Sequence, residues 1–187
     1  MGQQTSYANN PPAALAGMVR WTEGTRVFSK VAEGAVGIGL LVAPGAQSES
    51  VPAPLVSTPG SGQAGTVKAL PAGLVADPMI DSVFEGIPFL DTSRGQLDNI
   101  GTASQGTFSY GTYLDKMDVP MLRKGELWVF AAEAPTQYGD VYVYTTAQTN
   151  NPLGQFGFGA GTGKVKFPRG RWLMTLSAPG LALMEVW

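Results

Sequence analysis

The chain has 187 residues, a formal net charge of −2 and neither cysteine nor histidine; 44% of it is hydrophobic and only 14% charged. That length builds one domain with a sizeable core, or a domain with appendages, while the missing thiols and imidazoles exclude disulfides and the usual nucleophiles, general bases and soft metal ligands. Gly (25) and Pro (14) make up roughly a fifth of the chain, against about 12% in average usage, which argues for short strands and many turns, and the near-neutral charge forces no polyanion-binding surface.

The first ten residues, MGQQTSYANN, hold mostly polar uncharged side chains, and two prolines follow. Such a stretch cannot build a core. It lacks the basic-then-apolar layout of a signal peptide, which leaves a disordered tail or an arm for another surface. Asn10 is placed to cap a short helix over PPAALA, with Pro11 in its first turn and Gly17 past its end. Residues 19–31 and 35–43 then read as two short apolar strands broken by Gly24 and Gly34. The longest apolar run, Ala35 to Ala46, is too short and too Gly-rich to span a bilayer.

Residues 44–73 are rich in Ala, Gly, Pro, Ser and Val and contain no large aromatic. They read as a long loop or loosely ordered insertion contributing little core. ADPMIDSVFEGIPFLDTS is ambiguous between a short helix ending at Gly86 and a bent strand; a strand over 83–91 with a helical turn before it is favoured. Strand signals strengthen after Gly106. GTFSYGTYL alternates aromatics with small polar residues. ELWVF sets Leu127 and Val129 against Trp128 and Phe130, and DVYVYT sets Val141 and Val143 against Tyr142 and Tyr144. Leu127 with Val129, and Trp128 or Phe130, are both expected to be largely buried. KVKF, RWLMTLS and LALMEVW complete the series, with PTQYGD, PRG and SAPG as turns. Short strands at about ten-residue spacing predict a β-barrel or sandwich. The last of them is expected to pin the C-terminal residues in a sheet.

The motifs that carry chemistry are weak. FGFGAGTGKV fails as a phosphate loop: Phe158 stands where the first Gly is needed and Val165 where Ser or Thr would bind magnesium. A glycine-rich hairpin end accounts for it better. FLDTS at 89–93 has a single copy of an Asp-Thr pattern that acid proteases need twice. Asp77, Asp81 and Glu85 fall on one helical face, where solvated charge outweighs a cation site. Trp128, Tyr142, Tyr144, Trp172 and Trp187 offer a sugar platform, against the commoner reading of core or interface. Seven acids and two bases lie between Asp77 and Asp118, whereas Lys164, Lys166, Arg169 and Arg171 face one acid, Glu185, to the end of the chain. Ordinary solvated charge explains this; complementary contact between subunits is the sharper alternative.

Beyond these readings, GQQTSYANNPPAALAGMV resembles the N-termini of tailed-bacteriophage structural cement, or capsid decoration, proteins. KGELWVFAAEAPTQYGDVYVYTTAQTNNPLGQF is similar to their hairpin pattern, and RWLMTLSAPGLALMEVW resembles their C-terminal strand pair. The match is good at the two ends and poor in the middle. The resemblance implies a non-enzymatic protein on the outer surface of the virion that bridges neighbouring major capsid subunits, without cofactor, metal, nucleic acid or membrane. Its copies would associate as dimers or trimers. Combined with the residues, it yields a mainly β fold, an antiparallel barrel or sandwich with a jelly-roll arrangement among the options. An N-terminal arm would cover 1–20 and a single β-rich body 21–187, with the long loop at 44–73. The expected contacts of the arm are Gln3, Gln4, Thr5, Tyr7, Asn9, Pro11, Pro12 and Leu15. The competing reading is a carbohydrate-binding or fibre-like β module on a virion surface.

Overall fold

The structure, a computed structural model, describes residues 16–45, 66–74, 77–90 and 111–187. It is mainly β. Its longest strand, β8 (Asp118–Ala131), organises the rest. The C-terminal half of β8 pairs with β12 (Gly180–Val186), which pairs with β11 (Lys164–Trp172), which pairs with β9 (Asp140–Tyr144), which pairs with β10 (Phe156–Phe158). β10 returns to β8 through Phe156 opposite Ala131, in the one parallel step of the ring. Five strands thus close a small barrel, and closure leaves these strands no free edges to template aggregation.

Period-two alternation fills its interior. Leu127, Val129 and Ala131 of β8 point inward with Val141, Val143, Phe156, Val165, Phe167, Trp172, Ala182, Met184 and Val186, all buried in one cluster. Helix α1 (Asp77–Val83) packs on β11 and brings Phe84, just beyond its end, edge-on to Phe167 at 5.0 Å. Pro78 lies in the first turn of α1, where its missing N–H breaks no helical bond.

The N-terminal half of β8 serves a second layer. There it pairs with β2 (Arg26–Ala32) on one side and with β6 (Ile87–Pro88) on the other. β2 continues to β5 (Thr66–Ala69), and β5 to β4 (Val42–Pro44). β1 (Val19–Arg20) joins β8 at Leu127 and Glu126, while β3 (Val36–Gly37) and β7 (Thr112–Tyr113) form a separate pair. Val119 and Met121 belong to a second core with Ala32, Val36, Ile38, Val42, Val67 and Tyr113. Leu122 belongs to the first. One strand therefore supplies both cores.

Several expectations need correction. Residues 19–20 lie in the sheet, so the body starts before residue 21. Within 44–73, residues 66–69 form β5, and Val67 and Leu70 are core residues. In place of a strand over 83–91, the helix runs to Val83 and β6 is two residues long. PRG is no turn: β11 runs through Pro168–Gly170, where its register against β9 jumps from Phe167 opposite Val141 to Arg171 opposite Asp140. Such an irregularity is where a strand tolerates proline. FGFGAGTGKV is no hairpin either, since β10 and β11 flank β9 on opposite sides. Trp128 and Phe130, on the outer face of β8, are partly exposed, less deeply covered than Leu127 and Val129.

Candidate interaction surface

The arm residues Gln3, Gln4, Thr5, Tyr7, Asn9, Pro11, Pro12 and Leu15 lie outside the described residues, as do the Asp91–Ser93 stretch and all but Ala16 of the helix expected over PPAALA. Gly17, just after those residues in the chain, is held by backbone hydrogen bonds. The Gly17 N–H donates to the Trp128 carbonyl at 2.7 Å, and the Leu90 N–H donates to the Gly17 carbonyl at 2.8 Å. The Trp128 N–H donates in turn to the Met18 carbonyl at 2.9 Å. Gly17 has φ +85°, and a Cβ there would stand 2.1 Å from Cγ2 of Ile38. Only glycine fits. Beside this root, Met18 is 41% exposed and Trp21 65% exposed, its ring edge-on to Phe89. Large apolar groups left open to water are the features that mark contact surfaces.

The bases of the 164–171 stretch find partners inside the chain. Arg169 pairs with Asp81, Lys164 with Glu133 at 2.9 Å, Lys166 with Asp140 at 2.8 Å and Arg171 with Glu185 at 2.6 Å. All four bases of the 164–171 stretch are engaged, and one engages the acidic stretch itself. The hydrogen bond from Arg169 holds the Asp81 carboxyl below its ordinary value; burial opposes it and the charge of Arg169 adds to it. Asp81 and Glu85 part company. Glu85 follows the helix and is buried against Lys30 at 2.8 Å, an ion pair too oblique for a hydrogen bond. Among the described residues no group of three acidic side chains is placed to hold a metal ion.

Glu133 is a hub in the same sense. It accepts from the Tyr144 hydroxyl, the Phe158 N–H at 2.8 Å and Lys164 Nζ at 2.9 Å. Burial, and then the hydrogen bond to Glu133 and its charge, push the Tyr144 phenol well above the usual range. A carboxylate so engaged is a structural brace and is badly placed to accept a proton from a substrate.

The five aromatics of the sugar-platform reading are not brought together. Trp172 and Tyr144 are buried, Trp128 and Tyr142 half-buried, and Trp187 is exposed. Tyr138, which sequence reasoning passed over as part of a turn, is the most exposed large hydrophobic among the described residues at 67%. It has φ +61°, uncommon for a residue other than glycine. The Arg171 guanidinium lies 5.7 Å from the ring of Tyr138 and 5.8 Å from that of Trp187. Arg171 also belongs to a charged row over the barrel wall, in which Arg20, Glu126, Glu185, Arg171 and Asp140 stand opposite one another on successive strands.

Residues 3–186 match the family described as Structural cement protein (E217 gp24/Pam3 gp6). A chain in the capsid of Myoviridae phage XM1 is similar in fold, with a TM-score of 0.62 and 15% sequence identity over 99% of this chain and 97% of that one. No curated protein matches.

Proposed function

The chain belongs to the structural cement protein family, and from that premise we propose that it sits on the outer surface of a phage capsid, where it bridges neighbouring major capsid subunits and stabilises the shell. The role is structural, not enzymatic. The single observation that supports bridging is the root at Gly17: backbone hydrogen bonds to Trp128 and Leu90 hold the chain just after its polar, proline-punctuated first residues. That segment, residues 1–16, is the arm. Its contacts Gln3, Gln4, Thr5, Tyr7, Asn9, Pro11, Pro12 and Leu15 add backbone and side-chain hydrogen bonds to a neighbour's sheet edge or groove. The remainder acts as one body, and copies associate as dimers or trimers on the shell.

Deleting residues 2–15 leaves Gly17 and its hydrogen bonds in place. The shortened protein should keep its melting temperature and lose most of its attachment to undecorated shells. Full attachment of the truncated chain would remove the arm from the account. The carbohydrate-binding reading lacks its aromatic platform, and a glycan array on the free protein tests it directly.

A further inference from the structure

Six of the chain's basic residues are in ion pairs: Arg20, Lys30, Lys164, Lys166, Arg169 and Arg171. Three others, Arg26, Arg123 and Lys124, are gathered at one place and form no ion pair with an acid among the described residues. Where β2 meets β8, Arg26 stands opposite Lys124 and the next residue, Val27, stands opposite Leu122. β8 therefore carries one extra residue, Arg123. A bulge of this kind sets two residues of one strand against one of the other, so Arg123 and Lys124 together oppose Arg26. All three are exposed. The Arg123 guanidinium rests 5.9 Å above the ring of Phe28, which limits its freedom. Gly125 follows at φ +134° and turns β8 toward the barrel. Like charges directly opposite across a ladder destabilise a sheet, in a chain whose other clustered bases are neutralised by neighbours. Val27, 41% exposed, adds an apolar element beside them.

We propose that the bulge at Arg26, Arg123 and Lys124 is a docking site for carboxylates of a neighbouring protein on the shell. The proposal rests on the cement reading above and names a contact distinct from the arm. The occupant follows from charge complementarity. Guanidinium groups take carboxylates through paired, planar hydrogen bonds, and arginine beside an apolar side chain suits a protein interface. A nucleic acid fits less well, because three bases on a chain of net charge −2 give little of the phosphate neutralisation that such binding needs.

The test uses the full-length chain with empty shells lacking it. Lys124→Glu turns the cross-strand repulsion with Arg26 into attraction. The free protein should melt about 1–4 °C higher, while affinity for shells falls about tenfold near 0.1 M salt and the gap narrows as salt rises. Arg26→Gln, which reverses no charge, should weaken attachment in the same direction by a smaller factor. Equal shell affinity for the wild type and both variants would overturn the docking site and leave the cement reading standing. If the wild type itself fails to bind shells, the cement reading fails, and protection of Lys124 from amine acetylation decides the site. Protection by hexaglutamate would support it. Protection by a DNA duplex alone, or by neither probe, would overturn it.

Discussion

At the scale of single residues, what a side chain contributes depends on the face it occupies. Trp128 and Trp172 read alike in the sequence, each in an apolar strand. Trp172 is fully buried in the barrel, whereas Trp128 lies outside it and is half-covered. Trp172→Ala should therefore cost about 3–5 kcal/mol and Trp128→Ala roughly half of that, as read from chemical denaturation; equal costs would show that the outer face of β8 is buried as deeply as the barrel. Gln155 presents the opposite case. It is buried, and neither its Oε1 nor its Nε2 finds a hydrogen-bond partner among the described residues. A buried amide without a partner costs about 1–3 kcal/mol, so Gln155→Leu should be neutral or stabilising. A loss of stability would mean that the amide is satisfied after all. Neither distinction was legible in the sequence, because both depend on strands that meet only in the closed barrel. The φ of Tyr138 was equally out of reach, since Tyr-Gly before a strand announces a turn but not which residue takes the left-handed conformation.

At the scale of elements, the period-two stretches were readable and the long-range pairings were not. ELWVF and DVYVYT show their alternation directly, and both form strands with Leu127, Val129, Val141 and Val143 inward. The turn at SAPG and the terminal strand β12 were legible for the same reason. β5 was not, because Thr66–Ala69 becomes a strand only by lying between β2 and β4. Nor was the clamp of α1 onto β11, where Asp81 meets Arg169 across 88 positions of sequence. That clamp has a pH signature. The Asp81 carboxyl is depressed in the folded state, so the stability it contributes is present above its unfolded value of about 3.9 and is lost as pH falls through the lower folded value. Both partners are substantially exposed, at 39% and 42% for Arg169 and Asp81, so screening keeps the contribution within about 1 kcal/mol. Asp81→Asn should melt slightly below the wild type at pH 6, and the two should converge in acid as pH falls through the depressed folded value. A gap that persists in acid would assign the loss to packing of α1 rather than to the ion pair.

At the scale of the whole molecule, two cores share one strand. β8 places Val119 and Met121 in one and Leu122, Leu127, Val129 and Ala131 in the other. Neither can lose its order without freeing β8, so thermal unfolding should follow a single transition with calorimetric and van't Hoff enthalpies equal. Two resolved transitions would divide the body into separate units. The sparse charges, twelve of which pair within the chain among the described residues, mean that attachment to the shell should weaken only modestly as salt rises. Complete release at moderate salt would place the binding energy in ion pairs and not in the arm. The most direct measurement of the central claim is a cryo-electron map of the assembled particle. It should show each copy on the outer surface, with residues 1–16 leaving Gly17 to lie against a capsid subunit other than the one beneath the barrel. A copy that touches only one subunit, or that lines the inside of the shell, would contradict it.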